Sequence, residues 1–291
     1  MIPVRGRIVV LMLVVAFMAW TPAPQSARAD GNDTRLTLDG DFVQGGMIRG
    51  DVTPGASVTL DGREVRVDRW GRFVFGFGRD ADGQAALRVV FPSGQEKNRT
   101  LTVARRDFKV QRIDGLPQRM VTPPEEVLER IRRENALIAA ARARDTDAAW
   151  FRDGFIRPAE GRYSGIYGSQ RILNGEPRQP HFGLDIAGPT GAPVLAPAPG
   201  IISLSETDLY YTGGTVMIDH GHGITSVLMH LHSVDVEKGA RVEAGDRIGT
   251  IGATGRATGP HLDWRVNWFE VRLDPGLLLD DARDVSAPIL D

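Results

Sequence analysis

The sequence predicts a mainly β chain in which one helix separates two strand-rich regions. Three observations carry that expectation. Alternating apolar and polar residues recur around Asp61-Gly62 and Trp70-Gly71, within a stretch from about Thr34 to Ala104. One stretch, about 123–146, has helical periodicity. From about Trp150 glycine and proline become dense, and short Val- and Ile-rich runs repeat. A length of 291 residues allows one large or two modest domains. Charged residues make up 25% and hydrophobic residues 42%, as in ordinary soluble proteins, and a formal net charge of −2 gives no case for a nucleic-acid partner.

The first element is a leader. Arg5 and Arg7 precede an apolar run from Ile8 to Trp20, and Ala27-Arg28-Ala29 fits the small-x-small cleavage rule. The run falls short of the roughly 20 residues that a membrane span needs. Residues 1–29 are therefore expected to be a secretory signal peptide cut before Asp30, leaving no span in the mature chain. They hold Arg5, Arg7 and Arg28 and no acid, so their loss takes the formal charge from −2 to −5. With no cysteine, the chain has neither a disulfide scaffold nor a residue for lipoprotein anchoring through an N-terminal Cys. An exported protein is expected, in the periplasm, with a secreted or cell-surface location left open.

The second element spans 30–106. Its run VTPGASVTLDG resembles the small immunoglobulin-like β-sandwich modules that precede many bacterial exported catalytic domains. About 70 residues is short for a full sandwich, so a reduced one is expected. A wall- or partner-binding role and a plain spacer are both open. Residues 107–149 read as a linker carrying the helix, about 123–146. Thr122-Pro123-Pro124-Glu125 has the form of a capping box with proline at the first helical position. Leu128, Ile131, Asn135 and Ile138 fall on one face, with Arg130, Arg132, Arg133 and Glu134 largely elsewhere and the arginines read as a solvated face. The helix reads as a packed connector. Residues 150–285 form the last element, an all-β domain.

All six histidines lie in that domain, between positions 181 and 261. His181 and Asp185 are four apart around Gly183, which suggests a bend on which the two side chains converge. His plus carboxylate is a workable zinc pair. His230-Leu231-His232 and His261-Leu262-Asp263 each place two polar groups at i and i+2, which share a face in a regular strand. His220 and His222 sit in a Gly-rich turn, the second read as an exposed imidazole and the first left open.

Together, HFGLDIAGPTGAPVLAPAPGII and MHLHSVDVEKGARVEAGDRIGTIGATGRATGPHL resemble the lysostaphin/LytM-type zinc endopeptidases of the bacterial cell wall. The resemblance runs from about Gly161 to Pro275. It implies a LytM-type antiparallel β-sheet domain with a groove, Zn²⁺ as cofactor, and cleavage of peptide cross-links in peptidoglycan, with its stem peptides as partners. By resemblance His181 and Asp185 bind the metal, and His230 and His261 assist catalysis. The third ligand of the family is the last His of an HxH motif, and here that position is Asp263. Gly213-Gly214 and the glycines from 255 to 259 are expected to shape loops beside the groove.

Three readings of Asp263 stay open. As the third ligand, it lowers the site charge from +1 to zero and predicts activity peaking at higher pH than with a His ligand. His232 is a possible substitute ligand, about 7 Å along a regular strand from His230. Alternatively Asp263 pairs with Arg265 and no metal binds; degenerate relatives of this kind activate cell-wall amidases. The enzyme is the reading adopted, because a site released from chemistry has no physical reason to keep two ligands and two imidazoles together.

Overall fold

The structure, a computed structural model, describes residues 33–113, 125–173 and 175–282. The leader over 1–29 and the capping residues Thr122 to Pro124 lie outside them. Among the described residues no helix is long and apolar enough to cross a membrane. Among the described residues the fold is mainly β, with a single α-helix between two sheet regions.

Seven strands build the first region: β1 (Leu36–Gly40), β2 (Met47–Val52), β3 (Ser57–Leu60), β4 (Arg63–Val65), β5 (Arg72–Gly76), β6 (Gln84–Val90) and β7 (Glu96–Thr102). They form two antiparallel sheets, ordered β1-β2-β5 and β4-β3-β6-β7. This is an immunoglobulin-type order with the fourth strand on the second sheet. The expected reduction does not occur, because strands of three to seven residues let seven fit. Asp61 and Gly62 both have positive φ, the signature of the two-residue hairpin turn joining β3 to β4.

The segment after the sandwich is not a free linker. β8 (Val110–Ile113) pairs in parallel with β10 (Gln170–Leu173), which also pairs β11 (Glu176–Pro177). Helix α1 covers Leu128–Arg142 after a 3-10 turn at Glu125–Val127, ending short of the expected 146. Ile131 is buried, and Ile138 packs against a buried cluster that includes Leu204, Met217, Val227 and Met229. Glu134, expected off the apolar face, is buried. Its carboxylate accepts from Tyr210 N at 2.8 Å and from Arg130 Nε at 2.5 Å.

The last region is a ten-stranded antiparallel sheet. Its strands are β9 (Arg162–Gly165), β12 (Leu184–Ala187), β13 (Pro193–Leu195), β14 (Gly200–Leu209), β15 (Gly213–Gly221), β16 (Ile224–Val234), β17 (Arg241–Val242), β18 (Arg247–Ile251), β19 (His261–Trp268) and β20 (Val271–Leu273). The main path runs β17-β14-β15-β16-β19-β12-β9. β15 is buried throughout, and β16 from Ile224 to Leu231, because α1 lies on one face and the main core on the other. That is why these strands read as near-continuous apolar runs rather than alternating ones.

Candidate metal centre

The site forms where β12, β19 and β16 lie side by side. Asp185 is opposite Asp263, and Asp263 is opposite Met229. Two carboxylates thus face each other across adjacent strands, an arrangement that is destabilising without positive charge nearby. Small residues make the approach possible. A Cβ on Gly183 would overlap the Asp263 carboxylate, and one on Gly165 would overlap that of Asp185. The glycine of HFGLD is therefore a packing requirement of the centre as well as a bend.

His181 is pinned on its loop by paired backbone bonds, Gly168 N to His181 O and His181 N to Ser169 O, both 2.8 Å. Its Nε2 lies 3.2 Å from Asp185 Oδ1, and His261 Nε2 lies 4.0 Å from the same oxygen. The His181 and Asp185 atoms are buried and not aligned for a hydrogen bond. One ligand atom each from His181, Asp185 and Asp263 all lie within 4.8 Å of one another. Orphaned buried nitrogen and oxygen converging with a second carboxylate fit a divalent cation, and this donor set suits zinc. Burial works against a charged His181 imidazole, but Asp185 and Asp263 outweigh it and hold its pKa above the ordinary value.

Arg265 sits two residues along β19 and donates to Asp263 with Nη2 at 2.6 Å and with Nε at 3.1 and 3.2 Å. Burial alone would raise the Asp263 pKa, yet Arg265 keeps it below the usual carboxylate range. The zero net charge expected for a two-carboxylate centre therefore omitted a cation in contact with one of them.

His230 and His261 flank the group with ring centroids 4.8 Å apart. His230 Nδ1 is 2.9 Å from the Thr254 carbonyl and His261 Nδ1 is 2.8 Å from the Gly259 carbonyl. A carbonyl only accepts, so both Nδ1 atoms carry protons and both Nε2 atoms are left as the basic nitrogens. Burial lowers the His230 pKa, which favours its neutral form. Thr254 was not singled out from sequence. Its carbonyl orients His230, while its hydroxyl donates to Leu231 O and accepts from Gly214 N. The expected glycine-shaped loops meet through it.

The expectation of a regular strand at 230–232 is corrected. His230 has φ +65°, and the pairing of β16 with β15 takes three residue steps against two between Leu228 and Leu231. This is a β-bulge, and it re-aims the side chain as bulges beside active sites do. His230 therefore joins Val227 and Met229 in lining the cavity beside the centre, Leu231 enters the core, and His232 is exposed outside the group. His222 is also corrected: it is buried, at φ +50°, against Phe151. His220 is structural, donating from Nδ1 to Pro199 O at 2.7 Å and accepting at Nε2 from Ser226 Oγ at 2.9 Å.

A sheet-borne His/Asp/Asp group flanked by two imidazoles is a donor set of the kind that metal-assisted hydrolysis requires. The model of peptidase family M23 matches residues 179–275. A crystal structure from Pseudomonas aeruginosa described as a peptidase M23 is 30% identical, with a TM-score of 0.64, covering 82% of this chain and 95% of that one. The chain belongs to peptidase family M23. Peptidoglycan DD-endopeptidase ShyA of Vibrio cholerae is 40% identical over 87 residues, 30% of this chain and 20% of that protein. DD-carboxypeptidase/endopeptidase Mpg of Neisseria meningitidis is 42% identical over 89 residues, again 30% and 20%. The chain thus spans about a fifth of the length of these curated relatives.

Proposed function

We propose that the protein is a zinc-dependent endopeptidase that hydrolyses peptide cross-links of peptidoglycan in the cell envelope. The observation that carries this reading is the convergence of His181, Asp185 and Asp263 within 4.8 Å, with two of their atoms buried and orphaned. Those three residues would hold Zn²⁺, which supplies Lewis acidity toward a water and the scissile carbonyl. Arg265 orients Asp263 and offsets its charge. His230 and His261, each with Nδ1 fixed and Nε2 basic, accept a proton from the attacking water and return one to the leaving amine. Residues 30–106 are read as an immunoglobulin-like module, 107–149 as a connecting segment and 150–285 as the peptidase domain, in an exported protein acting in the periplasm. The similarity to peptidoglycan DD-endopeptidase ShyA favours peptidoglycan as substrate.

One observation favours a second reading. The Asp263–Arg265 pair is what a metal-free, regulatory centre would have. The two readings separate on metal content and product release. The full chain purified without chelator should retain about one zinc and release muropeptide fragments from cell walls, and His181→Ala should lose both. Folded protein that retains no stoichiometric metal and releases nothing would instead support an amidase regulator.

A further inference from the structure

The cavity beside the metal-binding group has a volume of about 660 Å³, and its lining carries four arginines, Arg142, Arg256, Arg265 and Arg272, against one carboxylate, Asp263. Arg265 is committed to that carboxylate. The other three have no acid within the cavity. Arg142 comes from the last turn of α1 and is 9% exposed. Its Nη1 reaches Glu270, outside the lining, at 3.1 Å, while its buried Nε has no hydrogen-bond partner. Arg272 on β20 donates from Nη1 to the neutral Asn267 amide oxygen at 2.6 Å. Arg256 lies over the Tyr211 ring, 4.6 Å from its centroid. Burial, with Arg142 and Arg265 adding to it, pulls the Arg272 guanidinium down to about 10. Arg142 is buried and Arg272 half-buried, and both feel the charge of a single carboxylate outside the cavity, Glu270, which is largely exposed. Guanidiniums so placed are short of counter-charge, which is costly, and their planar forks match a carboxylate in two-point contact.

We propose that Arg142 and Arg272 form a carboxylate-binding subsite that seats a free carboxylate of the peptide substrate beside the metal-binding group. The inference rests on the endopeptidase reading and narrows its substrate class to peptides with a free carboxylate near the scissile bond. It also gives α1 a role that the expected connector lacked, since Asn135, Ile138 and Arg142 make it a wall of the cavity.

The test is binding, measured by calorimetry with the full chain and two probes. One is a peptidoglycan stem tetrapeptide with its carboxylates free, the other the same peptide amidated at those carboxylates. Wild type is expected to bind the free acid at least tenfold more tightly. Arg272→Gln and Arg142→Gln should each remove most of that preference while leaving amide binding within twofold, and Arg272→Lys should keep part of it. Should Arg142→Gln fail to fold, Arg272→Gln and Arg272→Lys still decide. Equal binding of the two probes, binding of neither, or an equal loss for both probes in the variants overturns the subsite. Failure of the endopeptidase reading has a different signature, in which discrimination persists but cross-linked muropeptides are not cleaved.

Discussion

At Asp263, the partner matters as much as the substitution. Arg265 is in two-point contact with it, and the Asp263 side chain is only 4% exposed. Replacing Asp263 by His to restore the usual ligand type would strand the Arg265 guanidinium. The cost should fall between that of an exposed and a fully buried pair, roughly 2–3 kcal/mol. Asp263→His is therefore expected to lower the melting temperature, and Asp263→His with Arg265→Gln to recover most of the loss. If the double variant melts no higher than the single, the pairing argument fails. Charge follows the same logic. Arg265 offsets the charge of the second carboxylate, so Arg265→Gln should move the optimum of activity upward in a pH–rate profile. A second residue-scale prediction concerns His220, whose pKa burial pulls down to about 4. Unfolded, it titrates near the ordinary 6.5. The unfolded chain then binds the proton first, so the contribution is complete above about pH 6.5 and is lost as pH falls toward 4. The loss is on the order of 3 kcal/mol at pH 4. His222 and His230, also depressed by burial, steepen the same limb. Denaturant unfolding between pH 7 and pH 4 should show His220→Gln with a slope shallower by about one proton; an unchanged slope would contradict the assignment.

At the scale of elements, strand and hairpin signals were legible because turn chemistry is local: Asp61 and Gly62 take the positive φ that their residue types favour. Much of the candidate site was legible for a similar reason, since a His and an Asp on one bend, and the i, i+2 pair His261 and Asp263 on a strand, specify direction from spacing alone. The bulge at His230 was not, because nothing in MHLHSV distinguishes a regular strand from one with an extra residue, and that single residue puts His230 on the cavity and separates it from His232. Helix α1 was hidden in a different way. Its polar residues follow a solvated pattern, yet Glu134 and Arg142 are buried by long-range partners. Glu134→Ala removes the acceptor for Tyr210 N and Arg130, and leaving these donors unmade should cost about 1–3 kcal/mol. Hydrogen exchange should show it as lost protection across 128–142 and at Tyr210. Protection unchanged there would mean that apolar packing alone holds the helix.

Across the whole molecule, the N-terminal sandwich and the peptidase sheet share one buried apolar cluster. Composition marked the two regions but not their contact, whose residues are scattered along the chain. β5 leaves Gly76 bare where a Cβ would collide with Leu273. Arg63 lies 4.3 Å from the Trp268 ring centroid and 4.7 Å from that of Phe269. Arg106, at the expected end of the module, reaches Asp274 at 2.8 Å with the two side chains 5% and 0% exposed, and also donates to Gln44 O. Asp274 in turn accepts from Gly276 N to start the turn at Pro275–Leu278, while its own N–H donates to Gly45 O. Removing one partner of such a pair is far more damaging than replacing both, because the remaining charge stays buried. Arg106→Ala is therefore expected to cost about 3–5 kcal/mol. Because the core is shared, the loss should appear as a downward shift of a single unfolding transition. β20 carries Leu273 against the sandwich and Arg272 in the cavity, so the variant should also weaken binding of the free-acid tetrapeptide. Calorimetry of the variant would contradict this account if the melt split in two with the upper transition unmoved, since the sandwich would then be a separately folding attachment.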